Sequence, residues 1–135
     1  MPVPTHGSQQ GHSRPGAIAA IVPNSLIDFP GRVAAVVFLG GCNLRCPFCH
    51  NVELVAGPWD EVITPEDLTT WLQPRMGLLD GVCITGGEPA LCPESLKAIC
   101  RAAKACGAAV KIDTNGTMPA TIEEVVAEGL VDYVA

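Results

Sequence analysis

What most constrains this chain is its alternation of short apolar stretches with helix signals. Val33–Leu39 is a continuous apolar run, as a strand buried on both faces requires. Thr64-Pro65-Glu66-Asp67 then supplies a helix start: a Thr N-cap, Pro in the first turn and two acids at the positive end. That helix is predicted to run to about Gln73, because Pro74 ends or kinks it. Gly81–Thr85 reads as a second strand. Pro93–Cys106 reads as a second helix, with Leu96, Ile99, Cys100 and Ala103 at helical spacing and Gly107 as C-cap. Ala108–Asp113 is a third strand, Thr121–Glu128 a third helix stopped by Gly129, and Val131–Ala135 begins a fourth strand. Such alternation calls for parallel strands with right-handed crossovers. The expected fold class is therefore α/β, a parallel sheet of about four strands, either doubly wound or part of a barrel. No stop signal follows Val131–Ala135, and folded sheets avoid a bare apolar edge. Residues 17–135 thus read as the N-terminal part of a longer domain. Residues 1–16 are small, polar and rich in Pro and Gly, which predicts a mobile tail with His6 and His12 as solvated side chains.

Composition narrows the class of function. The chain has 135 residues, fitting one domain, and 48% are hydrophobic, enough for a core. A net charge of −6 repels phosphate backbones, so nucleic-acid binding is disfavoured. The longest apolar runs, Ala17–Val22 and Val33–Leu39, fall far short of the roughly 20 residues that span a bilayer. Residues 1–7 carry neither a basic nor an apolar segment, unlike a secretory signal. Seven cysteines, an odd number without an export signal, point to a reducing, cytoplasmic setting and to metal-binding or buried thiols.

The chemistry concentrates in three short segments. Cys42, Cys46 and Cys49 follow the first predicted strand with three and two residues between them, so three thiols can converge on one metal. A structural zinc site would need a fourth ligand, and His50, adjacent to Cys49, is poorly placed to supply it. An iron–sulfur cluster held by three thiolates would keep one open position. Thr85-Gly86-Gly87-Glu88-Pro89 follows the second strand, and its glycines allow close backbone approach and positive φ. Asp113-Thr114-Asn115-Gly116 follows the third. All three segments fall at carboxyl ends of predicted parallel strands, the edge where such folds bind ligands. Cys83, Cys100 and Cys106 read as buried core thiols, and a second cluster on Cys92, Cys100 and Cys106 lacks tight spacing. Trp59 and Trp71 read as packing residues.

The Cys42-x3-Cys46-x2-Cys49 segment, with Phe48 before the last cysteine, resembles the radical S-adenosylmethionine superfamily, and Thr85–Pro89 resembles its second motif. Ser25-Leu26-Ile27-Asp28-Phe29-Pro30-Gly31, Gly41-Cys42-Asn43 and Cys49-His50-Asn51 resemble the activating proteins of glycyl-radical enzymes. Together with Gly77–Val82 and Asp113–Gly116, they are most similar to the activators of anaerobic ribonucleoside-triphosphate reductase. The resemblance implies a partial (β/α) barrel, here incomplete. It implies a 4Fe–4S cluster on Cys42, Cys46 and Cys49, whose open iron takes S-adenosylmethionine. Gly86, Gly87 and Glu88 would meet the methionyl end, Phe48 would lie near the adenine, and Asp113, Thr114 and Asn115 would face the ribose or carboxylate. No further catalytic side chain is implied. Cleavage to a 5′-deoxyadenosyl radical would then remove hydrogen from a glycine of the partner, with a low-potential electron donor upstream. The alternatives are an activator of another glycyl-radical enzyme such as a formate-lyase, a non-catalytic zinc or iron–sulfur module, or an inactive fragment. Thr85–Pro89 separates the first from the modules, which do not require it.

Overall fold

The computed structural model describes residues 15–44, 54 and 59–135. Five strands form one sheet in chain order: β1 (Ile18–Ser25), β2 (Ala34–Leu39), β3 (Gly81–Gly86), β4 (Ala109–Ile112) and β5 (Tyr133–Val134). Helices among the described residues include α1 (Pro65–Leu72), α2 (Pro93–Ala105) and α3 (Pro119–Ala127). Strands β2 to β5 run parallel, as the alternation predicted. Strand β1 pairs antiparallel with β2 and was not foreseen. Its sequence, Ile-Ala-Ala-Ile-Val-Pro-Asn-Ser, contains a proline and polar residues that weaken a strand signal. Among the described residues the sheet is open, with β1 and β5 at its edges, and no described helix is long and apolar enough to cross a membrane.

The local signals hold where they were strongest. The Thr64 side chain accepts the Asp67 N–H at 3.2 Å and caps α1. Pro74 ends α1 in a short 3-10 turn, Gln73–Arg75. Helix α3 starts two residues earlier than expected because Pro119 occupies its first turn. The folded region also begins before residue 17, since the Gly16 N–H donates to the Gly40 carbonyl at 2.9 Å. Residues 1–14 of the predicted tail lie outside the described residues.

Strand alternation gives the sheet two different faces. Ala35, Val37, Leu39, Val82, Ile84, Val110 and Ile112 pack with Leu68, Leu72, Leu96, Ile99 and Val125 in the main core. The opposite face carries Val36, Cys83 and Lys111 in one register row that ends at Tyr133. The Ser25–Pro30 segment covers part of this face. The Ser25 hydroxyl bonds to the Asp28 carboxylate at 2.5 Å, the Asp28 carbonyl accepts from Lys111 Nζ at 2.6 Å, and the Phe29 ring lies against Gly81. A side chain at Gly81 would displace that ring.

Strand β5 is short and depends on Asp132. The Asp132 N–H donates to the Val110 carbonyl and its carboxylate accepts the Val110 N–H, both at 2.8 Å. Lys104 from α2 bonds the same carboxylate oxygen. The Lys104 bond, aided by the Val110 N–H, holds the Asp132 pKa below the usual carboxylate range. A depressed folded-state pKa stabilises fully above the unfolded value, near pH 4, and that stabilisation is lost as pH falls through the folded value. Urea midpoints should therefore fall more steeply below about pH 4 for the unsubstituted chain than for Asp132→Asn. Parallel profiles would contradict the assignment.

Candidate functional site

Cys42 lies three residues past the end of β2, at the carboxyl edge of the sheet. Its sulfur accepts two N–H donors: the Leu44 backbone N–H at 3.4 Å and the Asn115 side-chain amide at 3.9 Å. Donors of this kind stabilise a sulfur that carries negative charge, as a metal-bound thiolate does. The described part of the site thus fits a metal–sulfur centre. Cys46, Cys49, Phe48 and His50 lie outside the described residues.

The segment after β3 runs hard against the one after β2. The Gly87 N–H donates to the Leu39 carbonyl at 2.9 Å, and the Glu88 N–H to the Gly41 carbonyl at 2.8 Å. Gly86 has φ +121°, a conformation that disfavours any side chain. A Cβ at Gly86 would collide with the Leu39 backbone, and one at Gly87 with the Gly41 carbonyl. Close approach is indeed what the glycine pair provides, and the partner at both Cβ positions is the neighbouring loop of this chain.

Glu88 is buried, 2% exposed, and accepts three hydrogen bonds. The Ala90 N–H reaches Oε2 at 2.9 Å and starts the 3-10 turn Pro89–Leu91. The Thr114 hydroxyl reaches the same oxygen at 2.7 Å, and the Asn115 N–H reaches Oε1 at 2.7 Å. One carboxylate therefore joins the segment after β3 to the segment after β4. The latter is folded by its own short side chains: the Thr114 hydroxyl accepts the Gly116 N–H at 3.2 Å, and Asn115 Oδ1 accepts the Thr117 N–H at 3.0 Å.

Asn43, named above only within the Gly41-Cys42-Asn43 resemblance, and Thr117 were given no site role from the sequence, yet both bond into the site. Asn115 Nδ2 donates to Asn43 Oδ1 at 3.0 Å, Asn43 Nδ2 to Thr117 Oγ1 at 2.8 Å, and Thr117 Oγ1 to Asn115 Oδ1 at 2.7 Å. The three side chains close a ring. The position of Asn43 beside Cys42 was the available signal, whereas Thr117 had none.

Asp113 belongs to a separate group on the face opposite the main core. It accepts from Cys83 Sγ at 3.6 Å and pairs with Lys111 at 2.8 Å. Burial, then the Asp113 charge, pushes the Cys83 thiol up to about 12. Burial opposes the Lys111 charge, but the bond to Asp113 together with the charges of Cys83, Asp113 and Asp28 outweighs it, and the pKa is raised. Cys100 is also buried and its pKa pushed up to about 12, and Cys106 Sγ donates to the Thr69 carbonyl at 3.6 Å. Cys83 and Cys100 are buried as expected, whereas Cys106 is only partly buried at the margin of the core. Trp71 is buried in the core under Arg75, and the Trp59 ring lies against Gly40.

Residues 36–135 match the radical SAM superfamily. A Methanocaldococcus jannaschii protein named for glycyl-radical enzyme activation is 42% identical over 118 residues, 87% of this chain and 48% of its own length. The pyruvate formate-lyase-activating enzyme of Clostridium pasteurianum is 36% identical over 114 residues, 82% of this chain and 48% of its own. This chain spans about half the length of these curated relatives. The solved structure of QueE from Escherichia coli shares the fold, with a TM-score of 0.59 at 23% identity, covering 83% of this chain and 58% of that one.

Replacing Glu88 by Gln puts an N–H₂ group where every neighbour donates. Glu88→Gln should cost about 1–3 kcal/mol in chemical denaturation, since a buried donor is left facing donors. A loss within measurement error would show that the carboxylate does not join the two segments.

Proposed function

The chain belongs to the radical SAM superfamily, and from that premise we propose that it is the cluster-bearing part of a glycyl-radical enzyme activator. Enzymes of this superfamily use a 4Fe–4S cluster and S-adenosylmethionine. When bound, the cluster supplies the electron for reductive cleavage of S-adenosylmethionine, the chemistry that ends in a glycyl radical on a partner. Cys42, Cys46 and Cys49 hold the cluster, and the donors on Cys42 Sγ support the reading most directly. Gly86 and Gly87 bring the segment after β3 against the cysteine segment. Glu88, Thr114 and Asn115 fix the segment after β4 beside it, and these residues form the cofactor-facing edge. Asp113 borders that edge through Lys111, and Phe48 contributes the adenine side. The names of both relatives described above support an activator.

The favoured partner is the anaerobic ribonucleoside-triphosphate reductase, on the strength of Gly77–Val82 and Asp113–Gly116. A formate-lyase is the second reading, favoured by the Clostridium relative. The chain would receive its electron from a low-potential donor.

Anaerobic iron–sulfide reconstitution should give about four irons per chain and, with a chemical reductant, release 5′-deoxyadenosine. Cys42→Ala, Cys46→Ala or Cys49→Ala should abolish both, while Cys100→Ala should keep the iron. Mixing with each candidate partner and recording the glycyl radical distinguishes the two readings. Stoichiometric zinc without iron after anaerobic purification would sink the proposal.

A further inference from the structure

Among the groups around Cys42, the Asn115 carboxamide is the most tightly determined. Its Oδ1 accepts the Thr117 backbone N–H, which can only donate, so the oxygen's identity is fixed by chemistry. Its Nδ2 must then face Asn43 Oδ1 and Cys42 Sγ. The ring through Asn43 and Thr117 holds the plane of the amide, and the Asn115 N–H is anchored on buried Glu88. An amide constrained at both ends spends one N–H on a sulfur. Packing alone does not require that arrangement, because the ring already satisfies the other N–H and the oxygen.

We infer that Asn115 is a positioning residue for the metal–sulfur centre, one whose side-chain N–H raises the reduction potential of a cluster bound at Cys42. The inference rests on the cluster reading given above and adds a role for this side chain. The physical basis is charge. Reduction adds an electron that is shared with the ligand sulfurs, and a hydrogen bond to sulfur favours the more negative state. Asn115 thereby couples three segments: its backbone reports the position of Glu88 after β3, and its side chain acts on the cysteine after β2. Thr117 acts one step further out by holding the Asn115 oxygen, and Asn43 by holding its nitrogen.

Potentiometric titration of the reconstituted chain, followed by the paramagnetic signal of the reduced cluster, tests this. Asn115→Asp keeps the shape and the oxygen that accepts from Thr117 but replaces the donor by a negative oxygen. At a fixed ambient potential its ratio of reduced to oxidised cluster should fall about tenfold, which for a one-electron couple is about 59 mV. Asn115→Ala should shift the ratio in the same direction by about threefold, since it removes the donor without adding charge. Thr117→Val, which does not touch Cys42, should shift it in that direction by less. Equal potentials in the unsubstituted chain and all three variants would overturn the inference. So would loss of iron from all three, which would assign the ring to holding the loop and not to the sulfur. If the unsubstituted chain takes up no iron, it is the cluster reading that fails.

Discussion

The upper edge of this sheet depends on one buried carboxylate. Glu88 sits where three strand ends meet, and its two oxygens take an N–H and a hydroxyl from the segment after β4 besides the N–H that starts its own turn. A buried charge without such donors would be costly, and with them it fixes the spacing of the segments it joins. Its own N–H completes the link by bonding to Gly41, directly before Cys42. The segments after β2, β3 and β4 are therefore tied to one another. The glycines beside Glu88 serve the same end, because any Cβ at Gly86 or Gly87 would push the first two segments apart.

This arrangement separates two kinds of polar residue that look alike in sequence. Asp113, Thr114 and Asn115 are consecutive and follow the same strand, yet they serve opposite sides. Asp113 continues the alternation of β4 and falls in the row of Cys83 and Lys111, where it neutralises a half-buried ammonium. Thr114 and Asn115 leave the strand and turn to Glu88 and Cys42. The Ser25–Pro30 segment does comparable work on the Lys111 side, giving that ammonium a carbonyl and closing the face with Phe29.

The parallel core was legible because its signals are local: a run such as Val33–Leu39, a cap such as Thr64, a stop such as Pro74. The parallel direction of β2 to β5 followed from those signals, while their sequential order in the sheet did not. Strand β1 was not legible, because its membership in the sheet is decided by pairing with β2 across a turn, and Pro23 and Asn24 mask it. In the site, the residue types and their shared edge could be read from position along the chain. The direction of each side chain could not. The sequence pointed Glu88 and the glycines towards a ligand, and the structure adds a second set of partners, the neighbouring segments they bind. The roles of Asn43 and Thr117 were not legible because the ring they form joins residues about seventy positions apart. Hydrogen bonds of that kind leave no periodicity in a sequence.

The central claim is that Cys42 marks a metal–sulfur centre with a position open to S-adenosylmethionine. The most direct measurement is the paramagnetic resonance spectrum of the anaerobically reconstituted and reduced chain, recorded before and after adding S-adenosylmethionine. The account predicts a cluster signal whose g values change on addition, because the cofactor reaches iron. A reduced cluster whose spectrum is the same with and without the cofactor would contradict it.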